Sequence, residues 1–387
     1  MAPPNFQAAV AAVRSEAPVT LFDLQRQRLR LEKEIQSRIH TVLTHGQFIL
    51  GPEVDLLEKK LAAFSGAGHV IGVSSGRDAL TISLMALGIG PGDAVFVPSF
   101  TFAATAGAVV SVGATPVFVD VDPQSYNMDP YDLEEAIYET ENDGRLRPRA
   151  VMPVDLYGLP ADYLTIGDVA SRHGLLLLAD AAQSFGASMG NRRVGALAPI
   201  TATSFYPTKP LGCYGDGGAI LTSDARLAES VRQIRSHGRQ GDGDVALQLG
   251  LTGRLDTIQA AILLVKLEVF EAELRRRREI ARRYDEALGD VVATPKIGAA
   301  QESAYAIYTI RVPERAAFRA AMETAGIGTG LFYRLALHQH PAFAYLPRRA
   351  LPVSEELARE VVSLPVHADL DDDEVDRVIA AVRAAVR

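Results

Sequence analysis

The chain has a single cysteine, Cys213, among 387 residues. No intramolecular disulfide can form, and nothing in the thiol content points to an oxidising compartment. An excess of positive charge is also missing. The formal net charge of −8 argues against broad attraction to nucleic acid or an anionic membrane. One arginine run, Arg275 to Arg278, goes against the trend; with Glu271, Glu273 and Glu279 beside it, it reads as a solvated, partly paired helix face. The uncharged stretch 94–119 is long enough to raise the question of a membrane span. Pro98, Pro116 and many Ser, Thr and Gly residues break it, and a buried strand–helix–strand passage is expected instead. The first residues lack both a leading basic region and a sufficient apolar stretch, so no secretory signal is expected. A soluble cytoplasmic protein follows from these readings. No G-x-G-x-x-G fingerprint and no Walker lysine occur where a nucleotide cradle would need them, and no metal site is expected.

The composition is 48% hydrophobic, enough for one large domain and a smaller one. Residues 1–20, rich in Ala and Pro, read as a flexible arm. Helical spacing covers Leu21 to Leu43 and Val54 to Phe64. An alternation then begins: strands at 69–75, 94–99, 115–121, 150–156 and 175–180, with helices between them. The strands are apolar without a polar face, which predicts an α/β fold with a mainly parallel sheet covered by helices on both sides. Two short strands flank a loop around Lys209. A long helix is predicted over 255–288, with Leu255, Ile258, Ile262, Val265 and Val269 on one face. The large domain is expected over 21–270 and a small α+β domain over 271–387.

Three places carry unusual residues where ligands bind in such sheets, at the carboxyl ends of the strands. Ser74-Ser75-Gly76 lies between a strand and a helix start, where free N–H groups and the helix dipole suit a phosphate. Asp180 ends the apolar run LLLLAD; a carboxylate there is costly unless it meets a positive partner, and Gln183 follows three residues on. Lys209 sits between Pro207 and Pro210 and precedes Gly212, Gly215, Gly217 and Gly218. Apolar neighbours would desolvate its ammonium and expose the nucleophilic amine. Taken singly, each has a structural alternative: an ordinary turn, a helix-capping aspartate, a loop lysine. Taken together, they match the needs of pyridoxal phosphate, with Phe102 as the aromatic that stacks on its ring.

The stretches HGQFILGPEV (45–54), MALGIGPGDAV (85–95), SFTFAAT (99–105), YNMDP (126–130), ADAAQSFGA (179–187), SFYPTKPLGCYGDGGA (204–219) and GRLDTIQAAIL (253–263) resemble the DegT/DnrJ/StrS family of pyridoxal phosphate-dependent nucleotide-sugar aminotransferases. The likeness runs from Leu21 to the C-terminus. It is strongest to the branch acting on UDP-2-acetamido-2-deoxy-3-oxo-glucuronate, which makes 3-amino sugars for surface polysaccharides. The resemblance implies a fold-type I aminotransferase, a homodimer with active sites at the subunit interface, and L-glutamate as amino donor. By position, Lys209 matches the Schiff-base lysine, Asp180 the partner of the pyridine nitrogen, Gln183 the neighbour of the ring hydroxyl and Phe102 the stacking aromatic. Ser204 and the backbone at Gly76 and Arg77 match the phosphate binders. Arg254 and Tyr333, with His338, match positions near the sugar.

Three positions depart from the family pattern. Thr252 stands where an asparagine usually reaches the phosphate across the dimer interface. Arg77 replaces a cradle hydroxyl, and its side chain could either offer a charge-assisted contact instead or point to solvent. The segment FYRLALH (332–338) lacks two prolines and a histidine of the usual loop. Other keto sugars (4-keto- or 3-keto-6-deoxy), and a non-catalytic regulator that binds the cofactor, remain alternative readings. A sugar dehydratase of this fold carries histidine at the lysine position, which Lys209 opposes.

Overall fold

The structure is a computed structural model describing residues 17–240, 243–347 and 349–386. The described residues form twelve strands: β1 (His69–Val73), β2 (Asp93–Pro98), β3 (Thr115–Val119), β4 (Arg147–Val151), β5 (Leu176–Asp180), β6 (Ser188–Met189), β7 (Arg192–Arg193), β8 (Ile200–Ser204), β9 (Gly218–Thr222), β10 (Gln301–Glu302), β11 (Tyr308–Arg311) and β12 (Val361–Leu364). Seven of them make one sheet in the order β1-β9-β8-β5-β4-β2-β3. β9 runs antiparallel to both its neighbours, while the β8–β5, β5–β4, β4–β2 and β2–β3 pairs are parallel. The carboxyl ends of β1, β8, β5, β4, β2 and β3 therefore share one edge. β2, β8 and β9 are buried along their whole length, as a sheet covered on both faces requires.

Alternate residues of β2 show why. Val95 and Val97 pack with helices Gly76–Ala86, Ala104–Ser111 and Ala225–Ile234 on one face. Phe96 packs with helices Pro130–Asp143 and Tyr163–Arg172 on the other. Helix starts are fixed by short acceptors: Ser75 caps the N–H of Asp78, and Asp129 that of Tyr131. Such caps each contribute about 1 kcal/mol.

Several expectations are corrected here. Residues 1–16 of the predicted arm lie outside the described residues, but its end is anchored: Val19 is 1% exposed and pairs with Ile327. The single helix expected over Leu21–Leu43 is two, Leu24–Arg30 and Glu32–His45, separated at Leu31. The strand expected over 150–156 ends at Val151, because Pro153 has no N–H for the ladder. Helix Thr257–Leu288 runs unbroken through the predicted domain boundary. Phe270 and Leu274 pack with the large-sheet side, whereas Ile280, Ala281 and Tyr284 belong to the C-terminal core; we propose that the domains exchange within this helix. The arginine run is not simply a solvated face. Arg277 is 8% exposed and donates to the carbonyls of Tyr305 and Val366, and Arg278 donates to those of Ser303 and Gly186.

Beneath the site, Phe185 stacks on Phe64 and Phe270 at centroid distances of 5.3 and 5.9 Å, and the Arg193 guanidinium lies 4.1 Å above Phe64. Gly186 has φ +95°, and a Cβ there would come within 2.5 Å of Leu274 Cδ1, so only glycine allows this close approach. This cluster seats the turn that follows Asp180. Phe270→Ala is expected to destabilise the protein by about 3–5 kcal/mol, measurable as a lowered midpoint in urea unfolding.

Candidate active site

The cradle forms where β1 ends. The Gly253 carbonyl accepts from the N–H of Ser74, and Arg254 bridges Val73, so segment 253–254 lies directly beside Ser74-Ser75-Gly76. Ser75 uses its hydroxyl to cap Asp78 and its carbonyl to accept from Ala79. The N–H groups of Gly76 and Arg77 open the helix, where the dipole favours an anion. A Cβ on Gly76 would lie 2.6 Å from Ser204 Cβ, which brings the Ser204 side chain onto the cradle. The buried Arg254 Nε has no protein partner. Two backbone donors and a hydroxyl thus lie together at a helix start, a donor set suited to a phosphate dianion.

Arg77 itself is corrected: its side chain does not turn to the cradle. It donates to the Gly107 carbonyl and the Ser111 hydroxyl at 3.2 and 2.8 Å, along the neighbouring helix. Only its backbone remains available. Thr252 is exposed, pairs with Ser236 through the backbone, and places Oγ1 3.3 Å from His237 Nε2.

At the end of β5, Asp180 is 4% exposed. Its Oδ2 accepts from Thr105 Oγ1 at 2.8 Å and its Oδ1 from the Ala182 N–H at 3.2 Å. Burial pushes its pKa up, while Thr105, the Ala182 N–H and the charge of Lys209 pull it back. Lys209 is half-buried by surface area, yet protein surrounds its ammonium closely enough that burial lowers its pKa to about 8, against the opposing effect of Asp180. Its loop is pinned at the base. Phe205 donates to the Gly217 carbonyl and Cys213 donates to that of Phe205, both at 2.8 Å, and Lys209 N–H closes a turn onto Tyr206. The rigid loop between the prolines presents the amine beside a buried carboxylate.

Gln183 is 4% exposed. Its Oε1 accepts from the Tyr157 N–H at 2.6 Å, and its Nε2 donates to Tyr333 Oη at 3.2 Å. The Tyr333 ring lies 6.0 Å from that of Phe102, which is 58% exposed and free to meet a flat ligand. Burial raises the Tyr333 phenol well above its ordinary value, so it stays protonated. His338, expected near the sugar, is corrected: Nδ1 is 2.7 Å from Ser99 Oγ and Nε2 is 3.1 Å from Glu355 Oε1, so neither ring nitrogen is free. Thr105 was missed from sequence, although a hydroxyl in the first turn of the helix after β2 is the signal that could have found it.

A cradle for phosphate, a carboxylate placed to meet a ring nitrogen, an exposed aromatic and a lysine of lowered pKa define a pyridoxal phosphate-dependent aminotransferase of fold-type I. Residues 29–383 match the model of the DegT/DnrJ/EryC1/StrS aminotransferase family, and the chain belongs to that family. It is 46% identical over 365 residues to the UDP-2-acetamido-2-deoxy-3-oxo-D-glucuronate aminotransferase of Pseudomonas aeruginosa, covering 94% of this chain and 99% of that one. A family aminotransferase from Brucella abortus superposes with a TM-score of 0.93 at 48% identity, over 95% of this chain and 99% of that one. A Bacillus subtilis protein solved with bound cofactor PMP superposes with a TM-score of 0.87 at 29% identity, over 96% and 85%. The cofactor is pyridoxal phosphate.

We propose Lys209 as the amine that captures the cofactor's aldehyde; in cofactor-free protein only its neutral form can attack. The rate of cofactor capture is therefore expected to rise with pH and reach half its maximum near pH 8. Asp180→Asn removes a charge that raises the lysine pKa, so the midpoint should move to lower pH. Stopped-flow absorbance checks both.

Proposed function

We propose that this enzyme moves an amino group from L-glutamate to the keto group of a nucleotide sugar, UDP-2-acetamido-2-deoxy-3-oxo-glucuronate or a similar 3-keto sugar, for amino-sugar and surface polysaccharide synthesis. The observation that carries the reaction type is Lys209, its pKa lowered to about 8, facing the buried carboxylate of Asp180. The relative from Pseudomonas aeruginosa, matched over nearly its whole length, supports the choice of sugar.

Pyridoxal phosphate, when bound, supplies an aldehyde for the amine and a ring that accepts electrons from the carbon losing its proton. We assign its phosphate to the N–H groups of Gly76 and Arg77 and to Ser204, one face of its ring to Phe102, and the sugar's surroundings to Arg254. Asp180 holds a proton at the ring nitrogen, and Thr105 keeps that carboxylate aimed. Gln183, fixed by the Tyr157 N–H, would neighbour the ring hydroxyl. Lys209 would hold the cofactor through its amine and, when free, would carry a proton away from the donor α-carbon. The same lysine would move a proton in the opposite sense at the sugar carbon that gains the nitrogen. Tyr333 stays neutral and can donate to the sugar, while Thr252 is assigned to the neighbouring subunit's site.

No helix among the described residues is long and apolar enough to cross a membrane, and we place the reaction in the cytoplasm. We further propose a homodimer with shared active sites. Phe48, Ile49 and Leu50 form one surface loop with 47%, 48% and 38% exposure, apolar area suited to a second copy. Light scattering on the purified protein is expected to give twice the chain mass, and Phe48→Asp to shift it toward the single chain.

Addition of L-glutamate should shift the absorbance of the loaded enzyme to that of the aminated cofactor. Lys209→Ala should abolish turnover. Asp180→Ala should retain bound cofactor and slow the half-reaction by about 10²–10³-fold. A wild-type spectrum indifferent to glutamate would refute the assigned donor.

A further inference from the structure

Ser99, His338 and Glu355 form a continuous hydrogen-bonded chain outside the reacting groups. Ser99 follows β2 and is fully buried. Its carbonyl accepts from the Leu337 N–H at 2.7 Å, and its hydroxyl lies 2.7 Å from His338 Nδ1 and 3.4 Å from the His338 N–H. Glu355 is 3.1 Å from Nε2. A carboxylate only accepts, so Nε2 carries the hydrogen, Nδ1 accepts from the Ser99 hydroxyl, and Ser99 Oγ accepts in turn from the backbone. One arrangement of protons thus satisfies every member. Burial of Ser99 excludes it as a nucleophile, despite the likeness to a serine–histidine–glutamate relay.

What the chain joins is informative. Glu355 lies in helix Pro352–Glu360, whose first turn is clamped by Asp120: the N–H groups of Val353 and Ser354 and the Ser354 hydroxyl all donate to its carboxylate, at 3.0, 2.8 and 2.6 Å. Asp120 follows β3 as Ser99 follows β2. The segment ending at His338 is therefore held from two adjacent strand ends. It carries Tyr333 five residues upstream, and the segment after Ser99 carries Phe102 three residues downstream. Phe332, next to Tyr333, accepts from the Tyr157 hydroxyl, so the tyrosine's other side is tied to the strand-end loop that holds Gln183.

We propose that His338 is a positioning residue: through Ser99 and Glu355 it sets Tyr333 against Phe102, and it acts on the sugar only through Tyr333. This rests on reading the cleft as a sugar aminotransferase site. His338 has no free nitrogen to contact a ligand, yet it fixes the two aromatic side chains that line the cleft.

The test is a double-mutant cycle on His338→Ala and Tyr333→Ala. It uses the glutamate-loaded holoenzyme and UDP-2-acetamido-2-deoxy-3-oxo-glucuronate as the probe. His338→Ala should raise the sugar KM about tenfold and leave the glutamate half-reaction within about twofold. In the Tyr333→Ala background the same change should add less than about twofold. Additive losses, or an equal loss in both half-reactions, would overturn the proposal. If His338→Ala does not fold, His338→Gln, which keeps one donor and one acceptor, should show a smaller KM rise with the same non-additivity. A wild type inactive on this sugar refutes the substrate reading alone. The visible circular dichroism of the bound cofactor then decides on His338: the band should change in His338→Ala and recover partly in His338→Gln, and a spectrum identical to wild type would overturn the positioning role.

Discussion

Desolvation of one charge pair governs this site. Asp180 and Lys209 are opposite charges removed from water at the carboxyl edge of the sheet. Burial raises the acid and lowers the base, and each group's charge opposes the shift of the other. Neither group alone would be tolerable there, because an isolated buried charge neutralises itself. The result is a lysine close to the balance between ammonium and amine at neutral pH, and a carboxylate that remains useful only while a cation faces it. A protonated ring nitrogen is such a cation, so on the proposed roles the same desolvation that would activate Lys209 would prepare Asp180 for the cofactor.

The rest of the fold can be understood as support for that pair. A buried carboxylate needs fixed donors, and Thr105 and the Ala182 N–H supply them from two different elements. The turn after Asp180 needs a firm seat, which Phe185, Phe64 and Phe270 provide. The lysine needs an unstretched tether, and the loop is closed at its base by Phe205, Gly217 and Cys213. The unusual antiparallel strand β9 has a role here. By running back between β8 and β1, it returns the chain from the lysine loop to the sheet and brings the cradle of β1 beside Ser204 at the end of β8.

Much of this was legible in the sequence because it depends on local order. The alternation of apolar strands and helices gave the layered α/β fold, and LLLLAD and PTKP each carry their own chemical oddity. What escaped reading depended on distant partners. From sequence the Arg77 side chain could turn to phosphate or to solvent; the helix Ala104–Ser111 offers it a carbonyl and a hydroxyl instead. Arg277 looks like surface charge until the C-terminal segment folds over it and presents two carbonyls. Val19 sits in a stretch with the composition of a loose arm, yet an edge formed some 300 residues later captures it. Side-chain direction, unlike strand order, is decided by neighbours that the chain reaches only after folding.

The same distinction separates reaction type from substrate. Amino transfer is written in groups that one short set of strand ends brings together, and those groups need only the cofactor's fixed chemistry. Choice of sugar, on the proposed function, depends instead on surfaces away from Lys209 and Asp180, among them Phe332 and the segment leading to His338. These lie on loops whose shape is set by long-range ties such as that from Asp120 through Glu355. Substitutions there can alter which ring fits the cleft without disturbing Lys209 or Asp180, because no hydrogen bond in the chain from Ser99 to Glu355 includes either residue. A scaffold organised in this way can change its acceptor while its proton transfers stay the same.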